Sequence, residues 1–329
     1  MLRRSAILPT LLAFALLAAS CGGDSASEAA ATTTTTTLVA PVTTAATNTA
    51  APITAAPTTS AAPVEQAQIT RSYVDESRIT PATAESDELS SRTMDVWIDT
   101  PATAEPAPLI IFAHGLTGHP RSHVMHRTDL SANGFVVVAP AFPLTNNDVS
   151  GGFLNTGDIE GQVGDVSFLI DSVLADPDLA GRIDPDRIGM VGHSLGGLTT
   201  AGAAVGTDAD VRINAAVVMS AGFGTPRPGV AVMVLHGDAD LIVPYVSGTA
   251  SYAQLGERRL LVTLVDGNHL EGIIDDDSEL GVAVRGITAA FFATEFGVVG
   301  PSIDSLPLAR LMVEAGDSEG VFDDWREYF

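Results

Sequence analysis

One serine in this chain sits where an activated nucleophile is expected. Residues 187–191 form a short apolar run of the kind found in buried strands, and Gly192-His193-Ser194-Leu195-Gly196 follows at once, leading into a stretch of small, helix-compatible residues. Glycines two positions to either side permit a turn sharp enough to lift the serine clear of the backbone. The N-terminus of the following helix then lies beside the serine oxygen and favours negative charge there. A serine so placed attacks carbonyl carbons.

A serine hydroxyl is a weak nucleophile, so a base must take its proton and a carboxylate must orient that base. Where the serine stands on a strand-to-helix turn, the acid and then the histidine come later in the chain. Only His236 and His269 lie downstream of Ser194. His236 ends an apolar run in Leu235-His236-Gly237-Asp238-Ala239-Asp240, too early to follow an acid. His269 comes after the last apolar run, in Asp266-Gly267-Asn268-His269, and is the expected base. Asp240, ahead of Ile242-Val243-Pro244, is the expected acid. Asp238 is expected to brace the turn and Asp266 to shape the loop of the histidine.

Acyl transfer also needs donors for the developing oxyanion. One is the N–H of Leu195, directly after the nucleophile. The other is expected from Leu116, because the apolar run 109–113 leads straight into His114-Gly115-Leu116-Thr117-Gly118. His114 is expected to hold this loop by side-chain hydrogen bonds. Phe223 and Ile242, with Leu116 and Leu195, are candidate apolar walls for the substrate, and residues 142–158 a candidate rim loop.

These positions require a scaffold of alternating strands and helices. Expected strands cover 91–98, 109–113, 135–139, 187–191, 215–220, 230–235 and 259–265, and expected helices 161–175, 195–205 and 282–296. The alternation predicts an α/β fold with a mostly parallel sheet of about eight strands and helices on both faces. Residues 221–229 leave no room for a cap domain between two strands. His119, His123 and His126 read as polar histidines on an exposed helix, and Asp275-Asp276-Asp277 as a solvated acidic loop; neither is expected to bind metal.

The chain has 329 residues, of which the first 70 look different from the rest. Residues 1–21 follow an export signal, with Arg3 and Arg4, an apolar run and small residues up to Cys21, the only cysteine. Leu17-Ala18-Ala19-Ser20-Cys21 is similar to a bacterial lipobox, which makes Cys21 the expected lipidation site. Residues 22–70, rich in Thr, Ala and Pro, are expected to form a disordered stalk. A catalytic domain is expected over 71–300 and an acidic extension over 301–329. The net charge is −24 and lysine is absent, which disfavours nucleic acid and leaves a lipid anchor as the expected membrane contact.

From about Ser72 to Phe296 the sequence resembles the α/β-hydrolase superfamily. The His-Gly-Leu-Thr-Gly loop, the Gly-His-Ser-Leu-Gly-Gly turn and His-Gly-Asp-Ala-Asp followed by Val-Pro are similar to dienelactone hydrolases, platelet-activating-factor acetylhydrolases and cutinase-like polyester hydrolases. The resemblance implies an ester hydrolase acting on small or polymeric esters; a monomer with no cofactor and no metal is expected, exported as residues 1–21 indicate. A peptidase or acyltransferase with the same triad, or a non-catalytic surface-binding module on this scaffold, are the alternatives.

Overall fold

The computed structural model describes residues 65–83, 86–150, 156–224 and 226–316. The export signal with Cys21 and nearly all of the stalk lie outside the described residues. Nine strands form one sheet: β1 (Ala67–Asp75), β2 (Arg92–Thr100), β3 (Ala107–Ala113), β4 (Val136–Ala141), β5 (Ile183–His193), β6 (Ile213–Met219), β7 (Ala231–Gly237), β8 (Arg259–Leu264) and β9 (Leu311–Ala315). The helices are α1 (Val124–Ala132), the short α2 (Asn147–Ser150), α3 (Ile159–Ala175), α4 (Leu195–Val205), α5 (Tyr245–Tyr252) and α6 (Glu279–Phe296).

The spatial order is β1-β2-β4-β3-β5-β6-β7-β8-β9, with β3 through β8 parallel and β1, β2 and β9 antiparallel additions. Parallel strands covered on both faces need continuous apolar runs. β4 and β7 are buried along their whole length. One apolar core packs α3, α4 and α5 on one face, including Val166, Ile170, Ala204 and Tyr252; the other packs α1 and α6, including Leu130, Ile287 and Phe291. The chain passes from β4, on one side of β3, to β5 on the other, and that switch opens a crevice at the carboxyl ends of β3 and β5.

Among the described residues the sheet has nine strands against an expected eight or so. β1 begins at Ala67, inside the stretch read as stalk, because an edge strand needs only one apolar face; Gln68 and Thr70 on its exposed side made it look like low-complexity sequence. β9 lies in the stretch read as an acidic extension and pairs antiparallel with β8, Leu311 opposite Leu264. Trp325, Tyr328 and Phe329 fall outside the described residues. A single short connection, 220–230, joins β6 to β7. Among the described residues no helix is long and apolar enough to cross a membrane.

The histidines expected on an exposed helix are buried. A 3-10 turn, Pro120–His123, enters α1 so that His123, His126, Arg127 and Leu130 all face inward, with the rings of His123 and His126 against Phe112. Among the described residues no group of three or more His, Cys, Asp or Glu is placed to hold a metal ion. Asp275 caps α1, accepting the N–H groups of Val124 and Met125 at 2.9 and 2.8 Å, and Asp276 accepts that of Ser278 at 2.8 Å. These carboxylates are structural caps rather than a free acidic loop.

Candidate active site

Sheet register brings distant loops together. Ala113 pairs with Gly192, so the His114–Gly115 turn leaves β3 level with the His193–Ser194 turn leaving β5. Gly237 pairs with Leu264, which sets the loop of Asp240 beside the loop of His269.

Ser194 has φ 56° and ψ −118°, a left-handed φ that L side chains rarely adopt. The surrounding glycines make that turn possible: a Cβ at Gly192 would meet the Gly196 carbonyl, and one at Gly196 the Ala113 carbonyl. Ser194 N–H donates to Met219 O at 2.9 Å, which pins the strained residue to β6.

Ser194, His269 and Asp240 meet in space. The Ser194 hydroxyl lies 3.0 Å from His269 Nε2, and His269 Nδ1–H donates to Asp240 Oδ2 at 2.7 Å. His269 and Asp240 are both buried, at 6% and 5% exposure. Asp240 Oδ1 accepts the N–H groups of Ile242 and Val243 at 2.8 and 2.9 Å. Burial pushes the Asp240 carboxyl up, but the His269 bond and those two N–H groups outweigh it and leave the group below its ordinary value. The acid is therefore charged at neutral pH and fixes the His269 tautomer with Nε2 toward the serine.

The competing acids sit elsewhere. Asp238 accepts the N–H of Asp266 at 2.7 Å, and Asp266 itself turns the chain at φ 56°, so one braces and the other bends the loop of His269.

Leu116 stands half-buried in the loop after β3 and Leu195 opens α4; neither N–H donates to a backbone carbonyl in the turns and loops described. Leu195 follows Ser194 directly, and a Cβ on Gly115, the neighbour of Leu116, would lie 3.4 Å from Ser194 Cβ; the first-turn N–H of a helix has no intrahelical partner of its own. His114 holds the loop from within: its Nδ1–H donates to Gly115 O at 2.7 Å and its Nε2 accepts Phe142 N–H at 3.1 Å. Burial lowers its pKa to about 4, which keeps it neutral.

Of the two expected wall residues, only Phe223 lines the groove along α4, of about 370 Å³, with Ile159, Leu198, Gly202 and Val205; Ile242 is 68% exposed on the loop after Asp240.

Two histidines that the sequence reading left without a role also touch the site. His193 Nε2–H donates to the His269 carbonyl at 2.8 Å, tying the base's loop to the residue before the nucleophile. His236 Nε2 lies 3.3 Å from Asp240 Oδ2 and donates to Val243 O at 2.9 Å. Their places at the ends of β5 and β7 were legible in the sequence; their contacts depend on loop conformation and were not.

The profile of the alpha/beta hydrolase family matches residues 110–326, more than half of the chain. No curated protein sequence matches. Among solved structures, a ferulic acid esterase from Streptomyces cinnamoneus is similar, at 18% identity and TM-score 0.61, over 77% of this chain and 98% of that one. Est1E from Butyrivibrio proteoclasticus, with ferulic acid bound, aligns over 63% of this chain and 96% of its own, at 20% identity and TM-score 0.49.

Proposed function

The chain belongs to the alpha/beta hydrolase family, and on that premise we propose that it hydrolyses carboxylic esters through an acyl-enzyme intermediate. Ser194 attacks the ester carbonyl while His269 Nε2 takes its proton. The tetrahedral oxyanion accepts the N–H groups of Leu116 and Leu195. As it collapses, His269 returns the proton to the leaving alcohol; His269 then activates a water that releases the acid and restores Ser194. Asp240 stays ionised throughout and stabilises the imidazolium.

The observation that carries this reading is the continuous hydrogen-bond chain from Asp240 through His269 to Ser194, at 2.7 and 3.0 Å. The short β6–β7 connection supports an open site that admits substrate directly. A peptidase or acyltransferase shares this machinery, so the substrate panel pairs nitrophenyl acetate and longer acyl esters with hydroxycinnamate esters and peptides. Ester turnover is expected, with Ser194→Ala lowering kcat by about 10⁴ or more. Equal rates for the two proteins end the proposal, and so does peptide cleavage without ester cleavage.

The expected place of action is outside the cell, on a tether anchored at Cys21; this rests on the sequence of residues 1–70 alone. Mass spectrometry of the mature N-terminus tests it, and any first residue other than a modified Cys21 removes the anchor.

A further inference from the structure

Gln162, on α3, takes no part in the chemistry above, yet it is fully buried and its amide is engaged at both ends. Its Nε2–H donates to the Thr145 hydroxyl at 2.6 Å, and its Oε1 accepts from the Thr199 hydroxyl at 2.6 Å. Thr145 and Thr199 are each 0% exposed. A polar side chain at such depth is costly unless bonded, and a methionine of similar length would fill the space without that cost.

Each end of the amide leads to one proposed oxyanion donor. The Thr145 carbonyl accepts the N–H of Thr117 at 2.8 Å; Thr117 follows Leu116 and holds a left-handed φ of 57°. Asn147 N–H adds a second tie to the same loop through Gly118 O, at 2.9 Å. On the other side, the Thr199 hydroxyl lies 3.1 Å from the carbonyl of Leu195, under the first turn of α4. The bridge therefore runs from the loop of Leu116 through Thr145, Gln162 and Thr199 to Leu195.

The helix that carries Gln162 is itself fixed. Arg92 holds Asp158 and Asp165, on either side of Gln162 in the chain, with its Nη2 2.9 and 2.6 Å from their Oδ2 atoms, and Arg78 adds a bond to Asp165 at 2.7 Å. Oxyanion stabilisation depends on donors held about 2.7–3.1 Å from the developing charge, and small displacements are expensive in rate.

The geometry points to Gln162 as a positioning residue that sets the spacing of the Leu116 and Leu195 N–H groups, a role that rests on the ester-hydrolysis reading above. The residue acts on the transition state through those donors, not on substrate binding.

Gln162→Met is measured beside Thr145→Val and Thr145→Ser, for ester kcat and KM, melting temperature and the rate of Ser194 labelling by a fluorophosphonate. Labelling needs the nucleophile and the oxyanion donors but no ester. Gln162→Met and Thr145→Val are expected to lower kcat and the labelling rate by about 10- to 100-fold, with KM changed less than about threefold. Thr145→Ser, which keeps the hydroxyl, recovers most of the loss. Wild-type labelling rates in folded Gln162→Met, or in Thr145→Val should the first variant fail to fold, overturn the assignment. A rate loss that simply tracks melting temperature, with no difference between Val and Ser at residue 145, overturns it too. A wild-type protein that turns over no ester while the labelling rates still separate the variants removes the esterase reading and leaves the positioning role standing.

Discussion

His236 directs its Nε2 at the same Asp240 oxygen that takes the His269 Nδ1 proton, at 3.3 Å against 2.7 Å. Burial lowers the His236 pKa despite the nearby carboxylate, so the ring is neutral. Among the described residues its Nδ1 has no partner, which places the proton on Nε2, where Val243 O and Asp240 accept it. Asp240 thus shares its charge between two imidazoles, and only one faces the serine.

His236→Phe keeps the ring and removes that donor. The carboxylate then concentrates its charge on His269 and loosens in its socket. Expected are a kcat/KM about 10-fold lower and an acid limb of the pH–rate profile moved to higher pH. An unchanged limb with full activity shows that His236 only fills space.

Acid should unfold the protein from the inside. Burial depresses the pKa of His114 and His193 to about 4 and of His126 to about 3, and pushes His123 well below its ordinary value. Unfolded, each titrates near 6.5. Between about pH 6.5 and 4 the unfolded chain therefore binds more protons than the folded one, so the stability these groups contribute is complete above pH 6.5 and is lost as pH falls. Each adds a slope of up to about 1.4 kcal/mol per pH unit. Urea midpoints at successive pH values check this; a flat profile from pH 7 to 5 contradicts it.

Arg92 is 2% exposed and holds two buried carboxylates, Asp158 and Asp165. Replacing it by methionine strips Asp158 of its guanidinium partner and leaves Asp165 only the bond to Arg78. A loss of about 3–5 kcal/mol is expected, read from urea unfolding. Restored stability in the triple variant Arg92→Met, Asp158→Asn, Asp165→Asn separates unpaired charge from lost packing.

Ending the chain at residue 300 removes β9 and the clamp of Arg310, whose Nε and Nη2 donate to Val265 O at 3.0 and 2.8 Å just before the loop of His269. Burying Leu311 and pairing β8 together contribute about 3 kcal/mol. A melting temperature lower by roughly 6–12 °C is expected, with a several-fold drop in kcat. Unchanged values refute a structural role for this segment.

The sequence was most informative where chemistry and local geometry coincide. Gly192-His193-Ser194-Leu195-Gly196 announced both a turn and a nucleophile, because that backbone tolerates few other residues. Asp240 and His269 followed from chain order and from their places after strands. The edge strands were obscure because β1 and β9 have one solvated side and so lack the unbroken apolar run of β4. The buried histidines misled for a related reason: His119, His123 and His126 carry polar rings, and only packing against Trp97 and Phe112 reveals which way they face. Gln162 had no signature at all, since a buried amide in a helix differs from an exposed one only in its neighbours.

All seven histidines of the chain are buried, and the sequence contains no lysine. The exterior is thus a mosaic of carboxylates and guanidinium groups, whose ionisation hardly changes from mild acid to mild alkali. Electrophoretic mobility should stay nearly constant across that span, and amine-directed crosslinkers or dyes will find no side chain to react with.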